Sequence, residues 1–482
     1  MNSDLAMLIS RFRWPVASTR WWAMQELAAL LLISETHEEV TNVLLQELKA
    51  CNVEAEAVEI LFIFWMAKNR GFVLPAELKA MLERPSTLAA LVLNDCDLPS
   101  DDSWNPPLRV APSDFQESTK FDEMQGADVP RFFLTRLQQL EQHLRLPLVR
   151  QCNYEWMSSA GGFPHAPYQG DLGHFVRPVG DDTTGAFANR NFLRVASAYQ
   201  RTFAVAHKFW RLRAGIVNHL ALDALPLDPT LAFMRPSRPS WLPAFSENIA
   251  QDNASIDAYI QSLASSLQSL AQGRVLLSLS TPIHVDPLGV IELSVVRWRH
   301  FDENLIDARG LVERFSRIQL EGGYGSCETV GLQSVTSLPV LTRKDTLDKE
   351  FNAAPLASTY RFSRLGYLQR DLYPSRLHYP VLTDVEGPIT ILPNAGSLSI
   401  SCAKGPIATL GYWNAGWNPV HPVDMSGLCG TALVAEPALR AFSSGQDAHR
   451  DFYLWWVTRN CRAASYERFA SEQSSCGILY AP

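Results

Sequence analysis

The stretch VLLSLSTPIHVDPLGVIELSVVRW, residues 275–298, marks the place where the character of this chain changes. It contains two runs rich in β-branched and other apolar residues, Val275–Ser280 and Val290–Trp298. Such runs are typical of β-strands. Further strands are expected at Ser375–Thr383, Ile389–Leu392 and Leu398–Ser401, and closing helices at Pro437–Phe442 and His449–Ala470. Residues 273–482 are therefore predicted to form a mixed α+β domain.

The chain that precedes this stretch has the pattern of helices instead. In Ser18–Ile33 the apolar residues recur at helical spacing, and two further helices are predicted at Glu38–Lys49 and Glu54–Lys68. The first and third of these helices align so that Ala23 falls over Ala57, with other apolar residues in register. This offset of 34 residues favours a repeat of helix pairs in the N-terminal part of the chain.

Within this region the segment PVASTRWWAMQELAALL resembles a helix of the HEAT repeat family. Pro15, Arg20, Ala23 and Leu27 stand at the positions where that pattern places proline, arginine, alanine and leucine. The resemblance implies a HEAT-like helical unit over residues 1–95 that acts as a non-enzymatic scaffold for a protein partner. In large prokaryotic chains such repeats often accompany conflict or defence modules, so the resemblance also implies a component of a defence system, such as antiviral defence.

Residues 96–128 break the helical pattern and are predicted to be an acidic, proline-rich linker or an extended wrap. Nine acids lie from Asp95 to Asp128, against two basic residues. Residues 129–272 then have the pattern of a helical domain, with helices expected at Pro130–Arg145, Asn189–Leu222 and Ser255–Gln272. The expected fold class is thus an α+β multidomain chain, with an N-terminal helical repeat-like unit, a helical middle and a C-terminal mixed α+β part.

Length and composition restrict the classes of protein to which this chain can belong. The 482 residues predict more than one domain, and 47% hydrophobic with 19% charged residues argue against wholesale disorder. No apolar run approaches the roughly 18 residues of a membrane-spanning helix, and residues 1–14 lack the apolar core of a signal peptide, so a cytoplasmic protein without membrane contact is expected. The 8 cysteines form no CxxC pair, and neither a metal site nor a cofactor is expected.

The basic residues are unevenly distributed, although the net charge is −8. No carboxylate occurs between Asp182 and Asp223, whereas this interval contains Arg190, Arg194, Arg201, Lys208, Arg211 and Arg213. At 100° per residue, one face of the predicted helix, opposite its apolar face, carries Arg190, Arg194, Arg201 and Lys208. Such a stripe can bind the phosphates of nucleic acid, with Arg211 as a further contact. It can also face solvent or pair with the acidic segment 95–128.

A second candidate surface for nucleic acid lies in TYRFSRLGYLQRDLYPSRLHYP, residues 359–380. Arginines are interleaved with aromatic residues there, against a single acid, Asp371. Arginine binds phosphates, and an aromatic ring can stack on an unpaired base. The contact residues expected in this segment are Tyr360, Arg361, Arg364, Tyr367 and Arg370. The alternative is a β-strand pattern in which the aromatic residues are buried and the arginines face water.

Two enzymatic alternatives involve the C-terminal part. Cys429 precedes a predicted helix over 431–442, and a helix N-terminus lowers the pKa of a thiol, so Cys429 is a candidate nucleophile for a cysteine hydrolase. Asp286 and Glu292 are placed like the carboxylates of a metal-dependent nuclease, although Ser294 stands where such enzymes usually have a lysine. Neither alternative rests on a complete motif.

No motif in the sequence identifies a reaction, which favours a protein without catalytic activity. The preferred interpretation is a non-catalytic binding or scaffold protein that engages nucleic acid, either DNA or RNA, or an acidic partner. Its N-terminal helices would bind a protein partner.

Overall fold

The structure is a computed structural model of the chain. It describes the following residues: 3–13, 17–99, 107–123, 132–159, 185–227, 229, 232–233, 237–244, 253–270, 273–286, 288–300, 307–314, 353–355, 357–361, 367–368, 378–382, 390–394, 397–403, 405–414, 429–436, 450–464 and 470–480. Within these residues, every helix is too short or too polar to cross a membrane.

The chain divides into two compact units. Unit 1 comprises Met1–Asp228 together with Leu365–Asp371. Unit 2 comprises Pro229–Arg364 and Leu372–Pro482. The finer division into four segments expected from the sequence stays a prediction. The expected mixed α+β class is confirmed.

Unit 1 is helical in the residues described. Its helices are α1 (Ser3–Phe12), α2 (Ala17–Leu30), α3 (His37–Lys49), α4 (Glu54–Lys68), α5 (Thr87–Asp95), α6 (Thr119–Glu123), α7 (Phe132–Leu144), α8 (Leu148–Ser158), α9 (Gly185–Trp210) and α10 (Ala214–Ala221). The predictions of α2, α3, α4 and α7 are confirmed, whereas α1, α5, α6 and α8 are additional helices.

The centre of unit 1 is α4. Its sequence, EAEAVEILFIFWMAK, is apolar on every side from Ile60 to Ala67, and these side chains are all buried, as expected of a helix enclosed by others. Helices α2, α3, α5 and α9 pack against it. Ala23 and Ala57, which the 34-residue offset aligns, are both buried where α2 and α4 meet. The N-terminal helices therefore share a core with α9. The resemblance of residues 1–95 to HEAT repeats stays a prediction.

The long helix predicted at Asn189–Leu222 is two helices. Arg211 has a φ of 59°, in the left-handed region, where a right-handed helix cannot continue. The amide of Leu212 turns back and donates to the carbonyl of Ala206 at 3.0 Å. A sharp turn at residues 211–213 therefore separates α9 from α10.

Residues 107–118 wrap along α8, which is one of the two interpretations left open by the sequence. Three side chains of α8, Arg150, Gln151 and Asn153, bind the main chain of this segment. They contact the carbonyls of Arg109, Pro112, Ser113, Phe115 and Ser118 and the amides of Ala111 and Ser118. Because an extended segment has no internal hydrogen-bond ladder, these side chains satisfy its polar groups instead.

Unit 2 contains a large antiparallel sheet. The strands described are β1 (Val275–Asp286), β2 (Gly289–His300), β3 (Ala353–Pro355), β4 (Ala357–Arg361), β5 (His378–Leu382), β6 (Thr390–Asn394), β7 (Ser397–Cys402), β8 (Gly405–Asn414), β9 (Cys429–Ala435), β10 (Arg450–Cys461) and β11 (Ala470–Tyr480). Their order is β11-β10-β2-β1-β9-β8-β7-β6, with β3 also paired to β2, while β4 and β5 form a separate pair. The described residues of unit 2 also contain two helices, α11 (Asn253–Gln268) and α12 (308–314).

Both faces of the central strands are covered by apolar side chains. On one face Leu293 and Val295 of β2 belong to a cluster that includes Leu263 of α11. On the other face Trp298 of β2 packs in a second cluster with Leu311 of α12. A sheet covered on both faces has strands that are buried at nearly every position, as β2 is.

Two tryptophans of the sheet lie over glycines of the neighbouring strand. Trp413 of β8 is paired with Gly430 of β9, and Trp455 of β10 is paired with Gly477 of β11. A Cβ atom at either glycine would overlap the indole ring opposite. The rings therefore take the space that a side chain would fill, which covers the bare backbone of the glycine strand.

The closing helix predicted at His449–Ala470 is wrong. Residues 450–461, RDFYLWWVTRNC, form β10, and β11 begins at Ala470. Phe452 and Leu454 point to one apolar cluster while Tyr453 points to the other, so the strand lacks the polar alternation that reveals a half-exposed strand. The other predicted helix, Pro437–Phe442, lies outside the described residues.

Candidate nucleic-acid interface

Arg194 lies inside unit 1 and not on its surface. Only 2% of the residue is exposed. Its guanidinium donates to the Trp156 carbonyl at 2.8 Å and to the Ser159 hydroxyl at 3.0 Å, and it lies 4.6 Å from the centroid of the Trp156 ring. Both partners stand at the C-terminal end of α8, where carbonyl groups lack helical donors and attract cations. The prediction of an exposed Arg194 is wrong because this helix end is buried against α9.

Arg201 connects α9 to two other helices. It donates to Glu155 of α8 at 2.6 Å, to Glu54 of α4 at 3.1 Å and to the Pro107 carbonyl at 3.2 Å. Both glutamates are buried, at 2% and 3% exposure. Burial lowers the pKa of Arg201, but the two carboxylates outweigh that effect and raise it. The arginine is thus the counter-charge that makes two buried carboxylates tolerable.

Two of the four positions of the predicted basic stripe are therefore engaged within unit 1, Arg194 buried and Arg201 partly buried. The acids that pair with Arg201 come from α4 and α8, and the segment 95–128 contributes the carbonyl of Pro107. Arg190 lies on α9, and its side chain lies outside the description. Of the four, Lys208 is the residue that the structure places on the surface.

Three exposed cations lie within residues 207–213, here named the cationic turn. Lys208, Arg211 and Arg213 are exposed, and within the described parts of the chain no carboxylate forms an ion pair with any of them. Phe209 is 45% exposed, with the ammonium group of Lys208 5.5 Å from its ring centroid. The cationic turn thus combines three exposed positive charges with an exposed aromatic ring.

The neighbouring segment adds a basic residue close to this end of α9. Leu108 is buried in a small cluster with Ala204, Val205 and Trp210. Arg109, the next residue, is exposed. The wrap along α8 therefore holds a fourth cation beside the last turns of α9.

The second predicted surface falls on β4 and β5. The positions of Tyr360 and Arg361 on β4 are paired with Tyr379 and His378 on β5, as in the alternative interpretation of a strand. The side chains of Tyr360 and Arg361 lie outside the description. Two further residues of this prediction also lie outside the described residues, Arg364 and Arg370.

Tyr367, a residue of the second predicted surface, lies in unit 1. Its hydroxyl donates to the carboxylate of Glu59 in α4, and its ring centroid is 4.4 Å from that of Phe192 in α9. Burial raises the pKa of the phenol, so it remains a donor. The prediction that Tyr367 stacks on bases is wrong because its ring is packed within unit 1.

Cys429 is not at a helix N-terminus. It begins β9, which lies between β1 and β8 in the sheet, so the predicted helix over 431–442 is wrong for residues 431–435. Without a helix dipole the physical reason for a lowered thiol pKa is lost. Among other thiols, burial raises the pKa of Cys96 and of Cys152 to about 12, which makes both poor nucleophiles at neutral pH.

Asp286 and Glu292 are separated along the β1–β2 hairpin. Asp286 is paired with Gly289, three residues before Glu292 on β2, so the two positions are about 10 Å apart along the strands. Glu292 is 1% exposed and accepts a hydrogen bond from the Ser280 hydroxyl. No group of three His, Cys, Asp or Glu side chains within the described residues could hold a metal ion. The nuclease alternative gains no support from this geometry.

No protein-family model matches this sequence, and neither the curated proteins nor the solved structures include one that is significantly similar to it. The candidate interface therefore rests on the physical chemistry of the residues themselves. Its strongest described part is the cationic turn.

Sequence reasoning left two residues of the cationic turn, Phe209 and Arg213, out of the predicted contacts. Both residues lie where α9 ends. In a sequence, the end of a helix is usually marked by a glycine that adopts the left-handed conformation. Here Arg211 takes that conformation, so no glycine marked the turn. The signal that was present is the density of cations from Lys208 to Arg213 without an intervening acid.

Proposed function

We propose that this chain is a non-catalytic binding protein that engages nucleic acid through the cationic turn. The observation that carries the proposal is the exposure of Lys208, Arg211 and Arg213 without a carboxylate partner among the described residues. Cations that are not neutralised within the protein remain available for an external anion. Each one that contacts a phosphate releases condensed counterions, which favours binding.

The exposed ring of Phe209 favours nucleic acid over an acidic protein as the ligand. Grooves that bind single strands combine basic residues for the backbone with aromatic rings on which bases stack. Phe209 stands between Lys208 and Arg211, so one nucleotide could contact a cation through its phosphate and the ring through its base. The net charge of −8 restricts the contact to this local surface.

The HEAT resemblance of residues 1–95 supports a scaffold role alongside this contact. Repeats of that kind bind protein partners through their exposed helical faces. The setting that the resemblance suggests is a prokaryotic defence or conflict system. In that role the chain would bring a nucleic acid and a protein partner together without catalysing a reaction.

The test is a titration of fluorescently labelled single-stranded and duplex oligonucleotides, followed by anisotropy at several salt concentrations. We expect a plot of log affinity against log salt with a slope of about −2 to −3, because three phosphate contacts release that many counterions. The triple variant Lys208→Glu, Arg211→Glu and Arg213→Glu should bind at least ten-fold more weakly. Its salt slope should be close to zero.

The matched control changes three exposed basic residues elsewhere in unit 1: Arg11→Glu, Lys49→Glu and Arg70→Glu. It alters the net charge by the same amount, so a purely global charge effect would weaken both triple variants equally. Equal weakening, or no binding by the wild type at low salt, would refute the proposal. Binding of an acidic polypeptide in place of the oligonucleotides would also refute it.

A further inference from the structure

Two residues of the C-terminal half of the chain are built into unit 1. Tyr367 and Leu368 belong to the segment Leu365–Asp371, which is part of unit 1 although the chain on both sides of it belongs to unit 2. The chain thus leaves unit 2, contributes a short peptide to the helical unit and returns. The contacts of this peptide resemble those of a bound ligand.

The main chain of the peptide is held by two consecutive hydrogen bonds. The amide of Tyr367 donates to the Leu225 carbonyl at 3.1 Å, and the amide of Leu368 donates to the Pro226 carbonyl at 3.0 Å. Leu368 is fully buried, with 0% exposure. Backbone hydrogen bonds to a peptide, together with a pocket for a side chain, are a means by which proteins recognise peptide ligands.

The side chain of Tyr367 meets a charged pair inside unit 1. Its hydroxyl donates to Glu59, which also forms an ion pair with Arg20, and the side chains of both members of that pair are only 2–3% exposed. The ring contacts Phe192. A buried carboxylate that accepts a phenolic hydrogen bond distinguishes tyrosine from phenylalanine, since phenylalanine would leave the acceptor without that donor.

We propose that unit 1 carries a docking site for a short peptide with the sequence Tyr-Leu, and that Tyr367 and Leu368 are its resident ligand. A partner protein that presents an unmodified Tyr-Leu segment would use the same contacts and displace the resident peptide. Phosphorylation of that tyrosine would prevent docking, because the phosphate would face the carboxylate of Glu59. The site is separate from the cationic turn and does not rest on the proposed function.

The test uses the full-length protein with the resident ligand weakened by Tyr367→Ala and Leu368→Ala. A fluorescein-labelled peptide of residues 365–371, LGYLQRD, is titrated and followed by anisotropy. We expect it to bind this variant at least ten-fold more tightly than the wild type, where the tethered segment competes at high effective concentration. A peptide with phenylalanine in place of the tyrosine should bind at least five-fold more weakly, and a phosphotyrosine peptide should not bind.

Equal binding of the tyrosine and phenylalanine peptides, or no binding by a variant that retains its helical content, would refute the proposal. If the double variant does not fold, the single variant Tyr367→Phe tests the proposal instead. Hydrogen exchange at the amides of Tyr367 and Leu368 should be several-fold faster than in the wild type, with exchange in the β1–β2 hairpin unchanged. Unchanged exchange at those two amides would contradict a site that recognises the hydroxyl.

Discussion

The two units use polar side chains differently. In unit 1 the ion pairs connect helices that are distant in the sequence: Arg201 of α9 reaches Glu54, 147 positions away, and Glu155, 46 positions away. Arg20 of α2 likewise reaches Glu59 of α4. These contacts lie in the interior, where they determine which helices are neighbours.

In unit 2 the comparable ion pairs join strands that are already joined. Asp451 of β10 accepts from Arg297 at 2.8 Å and from Arg299 at 3.2 Å, both on β2. Strands β10 and β2 are paired along their whole length by backbone hydrogen bonds. The side-chain contacts here add to an arrangement that the backbone has set.

The difference follows from where each kind of element forms its backbone hydrogen bonds. A helix forms its hydrogen bonds internally, so its position beside other helices depends on side chains alone. A strand forms them with its neighbours, so the sheet itself sets the arrangement. Unit 1 should therefore be sensitive to the loss of single charges, and unit 2 to changes that disturb the close approach of strands.

The largest effect is expected from Arg201→Met. The variant leaves two buried carboxylates, Glu54 and Glu155, without their cation, and should lower the free energy of unfolding of unit 1 by about 3–5 kcal/mol. Lys208→Met, on the same helix but exposed, should change it by less than about 0.5 kcal/mol. Urea denaturation followed by hydrogen exchange in peptides of α4 and α8 measures both. Similar stabilities of the two variants would contradict the internal role of Arg201.

A smaller effect is expected from Gly430→Ala in unit 2. The added methyl group would overlap the Trp413 ring, which should lower the free energy of unfolding by about 1–3 kcal/mol. Gly411→Ala on β8 is the matched control, because the nearest atom to its Cβ would be the Ala432 carbonyl oxygen at 4.0 Å. Thermal unfolding of unit 2, monitored by hydrogen exchange in β8 and β9, should separate the two. Equal destabilisation would show that the glycine-tryptophan pair has no special packing.

The smallest expected effect is the pH dependence that Glu56 gives to the stability of unit 1. Burial raises the pKa of this carboxyl, although the amides of Asn52 and Val53 donate to it and oppose the shift. A raised pKa in the folded state means that folding favours the protonated carboxyl. The folded protein therefore gains stability from this group as pH falls through the folded pKa, and loses that stability as pH rises. The urea midpoint of the wild type relative to Glu56→Gln should therefore be higher at pH 5 than at pH 7.5. Exposed Glu38→Gln is the control, and a difference of opposite sign would contradict the burial of Glu56.

Local patterns in the sequence were sufficient for many of the elements. The apolar spacing in α2, α3 and α4 and the β-branched runs of β1 and β2 predicted their type correctly, because each pattern reflects one buried face or a fully buried segment. The prediction was wrong for β10, whose two faces are both covered. A strand without polar alternation and a buried helix have similar sequences, and β2, the partner strand on one side of β10, is far away in the chain.

The candidate interface shows the same limit at the level of single residues. Helical spacing placed Arg194, Arg201 and Lys208 on one face of α9, and cation spacing alone gave no reason to separate them. Burial separates them, since α8 covers the first two and leaves Lys208 exposed. The acids that neutralise Arg201 stand 46 and 147 positions away, so no local window of the sequence contains them.

The sequence by itself determined the α+β class, the type of most helices and strands, and the concentration of positive charge between residues 190 and 213. These properties depend on neighbours within one or two turns or strands, which the local order of residues records. The tertiary structure alone decided which cations are neutralised, where α9 ends and that Tyr367 belongs to the helical unit. Those outcomes depend on the burial of groups brought together from distant segments, and burial is a property of the packed chain.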